Sequence, residues 1–217
     1  MKLFVALKIN LLNIVKYGRS SPRFGERLWV DPRQIKYFIT KEIKKEYLAN
    51  PRYESGKVLD GDWDLKAPPM KMHQSCFNHF EKGISWESLG VYEGRMKIIR
   101  KKGSSVGCKN LEEVKERYAN LDKLFAFAKK ENRFMTSEEL SGKKRIWAKG
   151  LGDIKLYIGR DGRFIKGPGG LHRTNIAKIL KLHRIPVVVG LIHPEALDIY
   201  KELRKESKSY ERKYNSL

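Results

Sequence analysis

The stretch from Asp153 to His193 constrains the fold of this chain more than any other part of its sequence. Its first apolar residues alternate with polar ones, at Ile154, Leu156 and Ile158. This alternation predicts a half-buried strand, and the turn signal at 160–162 followed by apolar residues at 164–165 predicts a hairpin. The apolar run at 185–189 predicts a buried strand that returns to the same sheet.

Between these strands lies a glycine corner, Gly167-Pro168-Gly169-Gly170, directly before a predicted helix that opens with 171–174. The helix has an apolar face formed by Ile176, Ala177, Ile179 and Leu180. The first N–H groups of a helix have no intrahelical partner, and the helix dipole is positive at that end. With His172 and Arg173 in the first turn, the corner is a candidate site for an anion. The alternative is a tight connection with solvated first-turn side chains.

The run Gly170-Leu171-His172-Arg173, with Ala177 in the helix and Ile185-Pro186-Val187 after it, resembles the nucleotide-binding core of the ParB/sulfiredoxin superfamily over about 151–194. The resemblance implies an α+β fold, a small mixed sheet with packed helices and a helical insertion. Members of that family hold nucleotide phosphates at the corner. The residues that the resemblance assigns to phosphate binding are Gly169, Gly170, His172, Arg173 and Thr174. Leu171 stands where the sulfiredoxin cysteine would fall, so sulfinic-acid reductase activity is not implied.

The chain carries 46 Lys and Arg against 25 Asp and Glu, a formal net charge of +21. Such an imbalance favours polyanionic partners, which include nucleotides, nucleic acid and anionic membrane surfaces. Two basic segments, at 16–25 and 100–105, have the composition of phosphate-binding loops and equally of ordinary surface loops. Their candidate phosphate or nucleic-acid contacts are Arg19, Arg23, Lys101 and Lys102.

Three aspartates, Asp60, Asp62 and Asp64, alternate along a glycine-containing loop beside Trp63. Alternate carboxylates on a loop can hold Mg²⁺, here at Asp62 and Asp64, or supply a general base. A hydrated acidic turn, in which the aspartates bond to local backbone, explains the same pattern equally well.

His73, Cys76 and His79 recur every three residues in a segment, 70–100, that the spacing of Phe77 and Phe80 predicts to be an amphipathic helix. They offer part of a metal site, but no fourth ligand is evident nearby, so we expect a core helix instead. Cys76 and Cys108 have no metal or disulfide spacing. They are expected to be reduced thiols of a cytoplasmic protein.

The remaining segments predict a strand at 27–30 ended by Asp31-Pro32, and a helix that Asn110 caps. The apolar segment 3–15 is interrupted by polar residues and is expected to pack onto the core rather than serve as a signal peptide or membrane span. We expect a single domain over 1–217, with an insertion at about 66–110 and a charged C-terminal helix at about 195–217. No DNA-reading domain like that of chromosome-partition ParB proteins is expected.

Resemblance to the archaeal free-serine kinases, which share this fold, implies a nucleotide-dependent enzyme. The expected activity is a phosphotransferase or nucleotide hydrolase that uses ATP, ADP or CTP with Mg²⁺ and acts on a small hydroxyl-bearing substrate. The candidate catalytic residues are Asp60, Asp62, Asp64 and His172. The alternative is a basic nucleic-acid-binding protein, with or without nuclease activity. A third possibility is a scaffold that keeps the fold but not the activity.

Overall fold

The computed structural model describes residues 2–48, 54–136, 139 and 154–214. Within these residues the expected α+β class is confirmed, with seven α-helices and one five-stranded mixed sheet. The helices are α1 (Lys2–Tyr17), α2 (Lys41–Tyr47), α3 (Gln74–Lys82), α4 (Val91–Lys102), α5 (Leu111–Glu131), α6 (Leu171–Ile179) and α7 (Leu197–Tyr214). The strands are β1 (Arg27–Val30), β2 (Ile35–Phe38), β3 (Ile154–Ile158), β4 (Phe164–Lys166) and β5 (Ile185–Ile192).

The chain divides into two compact units. We call them the sheet unit, Met1–Lys71, Met135–Gly170 and His183–Leu217, and the helical unit, Met72–Phe134 and Leu171–Leu182. The expected single domain with an insertion at about 66–110 stays a prediction.

The strand order in the sheet is β1-β5-β3-β4-β2. β3 lies parallel to β5 and antiparallel to β4, whereas β1 is antiparallel to β5 and β2 is parallel to β4. All eight residues of β5 are buried, as the continuous apolar run predicts. Asp31 accepts from Arg33 N and opens the 3₁₀ turn Pro32–Gln34, so the predicted end of β1 is confirmed.

One face of the sheet packs against the segment that follows β2. Tyr157, Ile165 and Leu191 form the strand side of this core. The residues that pack on them are Ile39, Ile43, Leu48, Trp63 and Ala67. The ring of Tyr157 occupies the space that a Cβ at position 190 would need, so Gly190 is required for this packing.

In the helical unit, Asn110 accepts a hydrogen bond from Glu113 N and caps α5 as predicted. The single helix predicted over 70–100 is instead two helices, because Gly83 adopts φ 70° and ends α3 before α4 begins. Lys101 and Lys102 were predicted to lie in a loop. That prediction is wrong, since they form the last turn of α4, which ends at Gly103.

Within the sheet unit, polar side chains hold helix α1 against the loops that follow it. Asn13 Nδ2 donates to the carbonyls of Pro22 and Gly56, and Asn10 Oδ1 accepts from Phe24 N. None of the helices in the described ranges combines the length and apolarity needed to cross a bilayer.

Candidate phosphate site

The glycine corner uses the backbone freedom of its glycines. Gly169 and Gly170 have φ values of +79° and +65°, which side-chain-bearing residues rarely adopt. A Cβ on Gly170 would lie 3.0 Å from Ile154 Cγ1. Lys166 braces the corner, because its Nζ donates to the carbonyls of Gly167 (2.7 Å) and Gly169 (2.8 Å). Burial lowers the pKa of Lys166 to about 8.

The first turn of α6 directs its polar side chains into the helical unit. His172, Thr174 and Asn175 are buried. Asn175 Oδ1 accepts from His73 N at 2.9 Å, and its Nδ2 donates to Leu171 O at 2.7 Å. The guanidinium of Arg173 lies over the ring of Phe134, 5.4 Å from its centroid. Of the predicted phosphate ligands, His172 and Thr174 are therefore buried side chains rather than solvated ones.

His172 lies close to two residues at the start of α3, His73 and Cys76. Ligand-type atoms of His73, Cys76 and His172 all lie within 4.8 Å of one another, and we call this group the His–Cys cluster. The rings of His73 and His172 have centroids 5.5 Å apart. Tyr118 of α5 packs edge-on against His172, with ring centroids 5.7 Å apart.

His79 does not belong to the His–Cys cluster. Its Nε2 lies 2.9 Å from Asp122 Oδ1, its Nδ1 lies 2.7 Å from Ile84 O, and its ring stacks on Trp86. Each step of three residues advances by about 300° around a helix. Position 79, two such steps after position 73, therefore lies about 120° around the helix from it and points in a different direction. The grouping of His73, Cys76 and His79 considered from the sequence is therefore replaced by one that contains His172.

Two guanidinium groups, of Arg95 and Arg117, act electrostatically on the histidines of the cluster. Burial, together with His73, Arg117 and Arg95, lowers the pKa of His172 to about 4. Burial and then Arg95 lower the pKa of His73. Burial raises the pKa of the Cys76 thiol to about 12. At neutral pH the cluster is thus uncharged and lies beside two guanidinium groups.

Three buried nitrogen atoms in this region lack a hydrogen-bond partner among the described residues: His73 Nδ1, His172 Nε2 and Arg117 Nε. Buried polar groups are nearly always hydrogen-bonded, so these three atoms are available to hydrogen-bond to a ligand. Arg117 and His73 are half-buried, whereas His172 and Cys76 are buried.

The cluster has the donor types for either a metal ion or an anion. A tetrahedral zinc ion would bring two nitrogens and a thiolate to about 3.3–3.6 Å from one another, which requires a modest contraction. A zinc–thiolate pair would still carry a net positive charge beside Arg95 and Arg117. A phosphate would accept from the unpartnered nitrogens and be neutralised by the guanidiniums, so the charges favour the anion.

The predicted metal ligands Asp62 and Asp64 are held by a guanidinium. Asp64 is fully buried and accepts from Arg160 N (2.8 Å), Nε (3.1 Å) and Nη2 (3.0 Å). Asp62 accepts from Arg160 Nη2 at 2.7 Å. Burial opposes ionisation of Asp64, but the hydrogen bonds from Arg160 outweigh it and lower its pKa.

Asp60 is 87% exposed and lies 3.3 Å, Oδ1 to Nε2, from the buried His193. Its Oδ1 also accepts from Gly61 N. His193 Nδ1 accepts from Glu195 N at 3.4 Å, whereas its Nε2 has no hydrogen-bond partner among the described residues.

The acidic loop and the glycine corner lie at opposite ends of β3. Asp64 lies against Gly159, which follows the last residue of β3, and Gly170 lies against Ile154, the first residue. Four strand steps separate these ends by about 13 Å. Within the sheet unit, the structure therefore does not bring the predicted catalytic aspartates and the predicted phosphate-binding glycines together.

The predicted basic contacts fall in two places. Arg19 and Arg23 lie in the loop after α1, where Arg23 Nη2 donates to Arg19 O, and Arg204 of α7 donates to Ser20 O in the same loop. A groove of about 320 Å³ is lined by Ser20, Lys201, Glu202, Arg204, Lys205 and Lys208. Lys101 and Lys102 belong to the helical unit and are exposed.

Arg95 and Arg117 are site residues that the sequence reasoning missed. Arg117 lies three residues after Val114 and four before Leu121, both buried, so a cation on the apolar stripe of α5 was the available signal. Comparisons with protein families, with curated proteins and with solved structures find no match for this chain.

Proposed function

We propose that the chain binds a nucleotide through its phosphates at the start of α6. The observation that supports this is the set of unpartnered buried nitrogens on His73, His172 and Arg117, beside a second guanidinium on Arg95. Such groups are costly to bury without an acceptor. A phosphoryl group supplies several acceptor oxygens and two negative charges.

In this proposal the first amides of α6 and the neutral imidazole of His172 donate to phosphate oxygens. Arg95 and Arg117, both half-buried, compensate the negative charge of the phosphate. His172 is buried, so its hydrogen bond to a phosphate oxygen would be stronger than one on an open surface.

The choice of a nucleotide over free phosphate rests on the resemblance of Gly170-Leu171-His172-Arg173 to the ParB/sulfiredoxin corner. The matching reaction class is Mg²⁺-dependent phosphoryl transfer to a small hydroxyl, or nucleotide hydrolysis. Both need mainly positioning and charge neutralisation. Since Arg160 holds Asp62 and Asp64, Mg²⁺ would be bound by the nucleotide phosphates and water rather than by the acidic loop.

Thermal unfolding with ATP, ADP or CTP, each with and without Mg²⁺, tests the proposal. A ligand at about 100 times its Kd stabilises by about 2.7 kcal/mol, which raises the Tm by roughly 5–10 °C for a chain of this size. Arg117→Gln should abolish this shift. Lys123→Gln, which removes an exposed cation from the same helix, should retain it.

Equal shifts in both variants, or none in the wild type, would contradict nucleotide binding at this site. Inorganic phosphate and Zn²⁺ serve as further probes. A shift with Zn²⁺ that Cys76→Ser removes, with no shift from nucleotides, would assign the His–Cys cluster to a metal ion instead.

A second candidate function is nucleic-acid binding in the sheet unit. The loop at 16–25 and α7 converge on the basic groove that contains Lys205 and Lys208. Anisotropy of a labelled oligonucleotide over a salt series tests it. Lys205→Ala and Lys208→Ala should each weaken binding and lower the salt slope by about 1, whereas Lys101→Ala should not. Unchanged salt slopes would exclude this groove.

A further inference from the structure

Helix α1 turns its polar side toward the protein and its apolar side outward. Ala6 and Asn13 are buried, and Asn10 and Asn13 hydrogen-bond to backbone of the sheet unit. The outward face consists of large apolar side chains that are 55–78% exposed: Leu3, Phe4, Leu7, Leu11, Leu12 and Val15. A solvated helix normally has the opposite orientation, so this face is built to be covered.

The charge of the segment that contains α1 favours an anionic surface as the partner of this apolar face. Residues 2–25 contain three lysines and two arginines and no acidic residue. Lys8 is exposed within the apolar face, one helical turn from Phe4 and from Leu12, and Lys16 is exposed at its margin. Lysine side chains beside an apolar face can extend their ammonium groups to the level of lipid headgroups while the stem stays in apolar surroundings.

We propose that α1 docks this apolar face onto a membrane surface that contains anionic lipid. The helix would lie in the plane of the interface, because its apolar face runs along its whole length and lysines occur near both ends. A second copy of the chain is disfavoured as the occupant, since it would bring together two acid-free basic segments of a chain with net charge +21. The surface is independent of the proposed nucleotide site.

Co-sedimentation of the full chain with lipid vesicles tests the proposal. Vesicles of phosphatidylcholine with about one third phosphatidylserine are compared with phosphatidylcholine alone. The variant is Leu7→Gln with Leu11→Gln, which removes apolar surface at unchanged charge, and the control is Leu65→Gln, an exposed leucine elsewhere in the sheet unit. We expect anionic vesicles to bind the wild type and the control, and the double variant to bind about tenfold more weakly.

Equal binding by the wild type and the double variant would overturn the proposal, because the net charge alone would then account for vesicle binding. A wild-type chain that elutes as a dimer, while the double variant elutes as a monomer, would overturn it in favour of self-association. Failure of the wild-type chain to bind either kind of vesicle would also overturn the proposal. Leu7 and Leu11 are both exposed, so the double variant should unfold at the same temperature as the wild type. An unchanged unfolding temperature shows that weaker vesicle binding is not caused by misfolding.

Discussion

Arg160 holds the carboxylate of the fully buried Asp64 with its main-chain N–H and with its guanidinium. Asp64→Ala should lower the free energy of unfolding by about 2 kcal/mol, because several charge-assisted hydrogen bonds are lost. Asp62→Ala removes a partner of the same guanidinium that is 64% exposed, and should cost much less. Urea unfolding of both variants checks the difference. Similar losses would contradict the buried role of Asp64.

Substitution of Gly190 should disrupt the sheet. A Cβ at this position would overlap the ring of Tyr157, which is buried against Trp63. Gly190→Ala is therefore expected to destabilise the chain by about 3 kcal/mol. Gly94→Ala, in an open part of α4, should instead stabilise it by about 0.5–1 kcal/mol. Thermal unfolding of the two variants measures both signs, and a tolerated alanine at 190 would refute the packing.

The stability of the chain should fall in mild acid because of His172. Its pKa is lowered from 6.5 to about 4 by burial and then by His73, Arg117 and Arg95. The unfolded chain takes up this proton first, so the stability is fully present above pH 6.5 and is lost as the pH falls to about 4. The loss amounts to about 3 kcal/mol.

His172→Asn removes this titration. The difference in free energy of unfolding between wild type and variant, measured at intervals from pH 7 to 4, should narrow as the pH falls. A difference that stays constant with pH would show that His172 titrates normally in the folded chain.

Cys76 should be inert in the folded chain. It is fully buried, and burial raises its thiol pKa to about 12. In a Cys108→Ser background, which isolates this thiol, a chromogenic disulfide reagent at pH 8 should react about a thousandfold more slowly than with a free thiol. Denaturant should restore the ordinary rate. Rapid reaction of the native protein with the reagent would contradict the burial of Cys76 in the His–Cys cluster.

The elements that could be predicted from the sequence are those with local signals. Alternation marked β3, a glycine turn marked the start of β4, and an asparagine cap marked α5. β2 and α2 were missed, because they have only four and seven residues and owe their conformation to tertiary pairing, β2 to β4 and α2 to the core.

The site could be predicted only in part, for the same reason. The corner and the helix after it are contiguous in the chain, and both are present. The partners of His172 and of Asp64 come from distant segments, and no periodicity links Asp64 to Arg160, which is 96 residues away. The ParB/sulfiredoxin resemblance stays a prediction.

The strand order has a consequence for association with other chains. β1 and β2 are the two outer strands, yet only the 3₁₀ turn Pro32–Gln34 and its flanking residues join them. From Val30 to Ile35 the backbone reaches at most about 17 Å, whereas four flat strand spacings would need about 19 Å. The two margins must therefore lie closer together than in a flat sheet. The margin of β2 is also occupied, because Phe38 N donates to Pro68 O and Met70 N donates to Lys36 O, which leaves less free edge for a foreign strand.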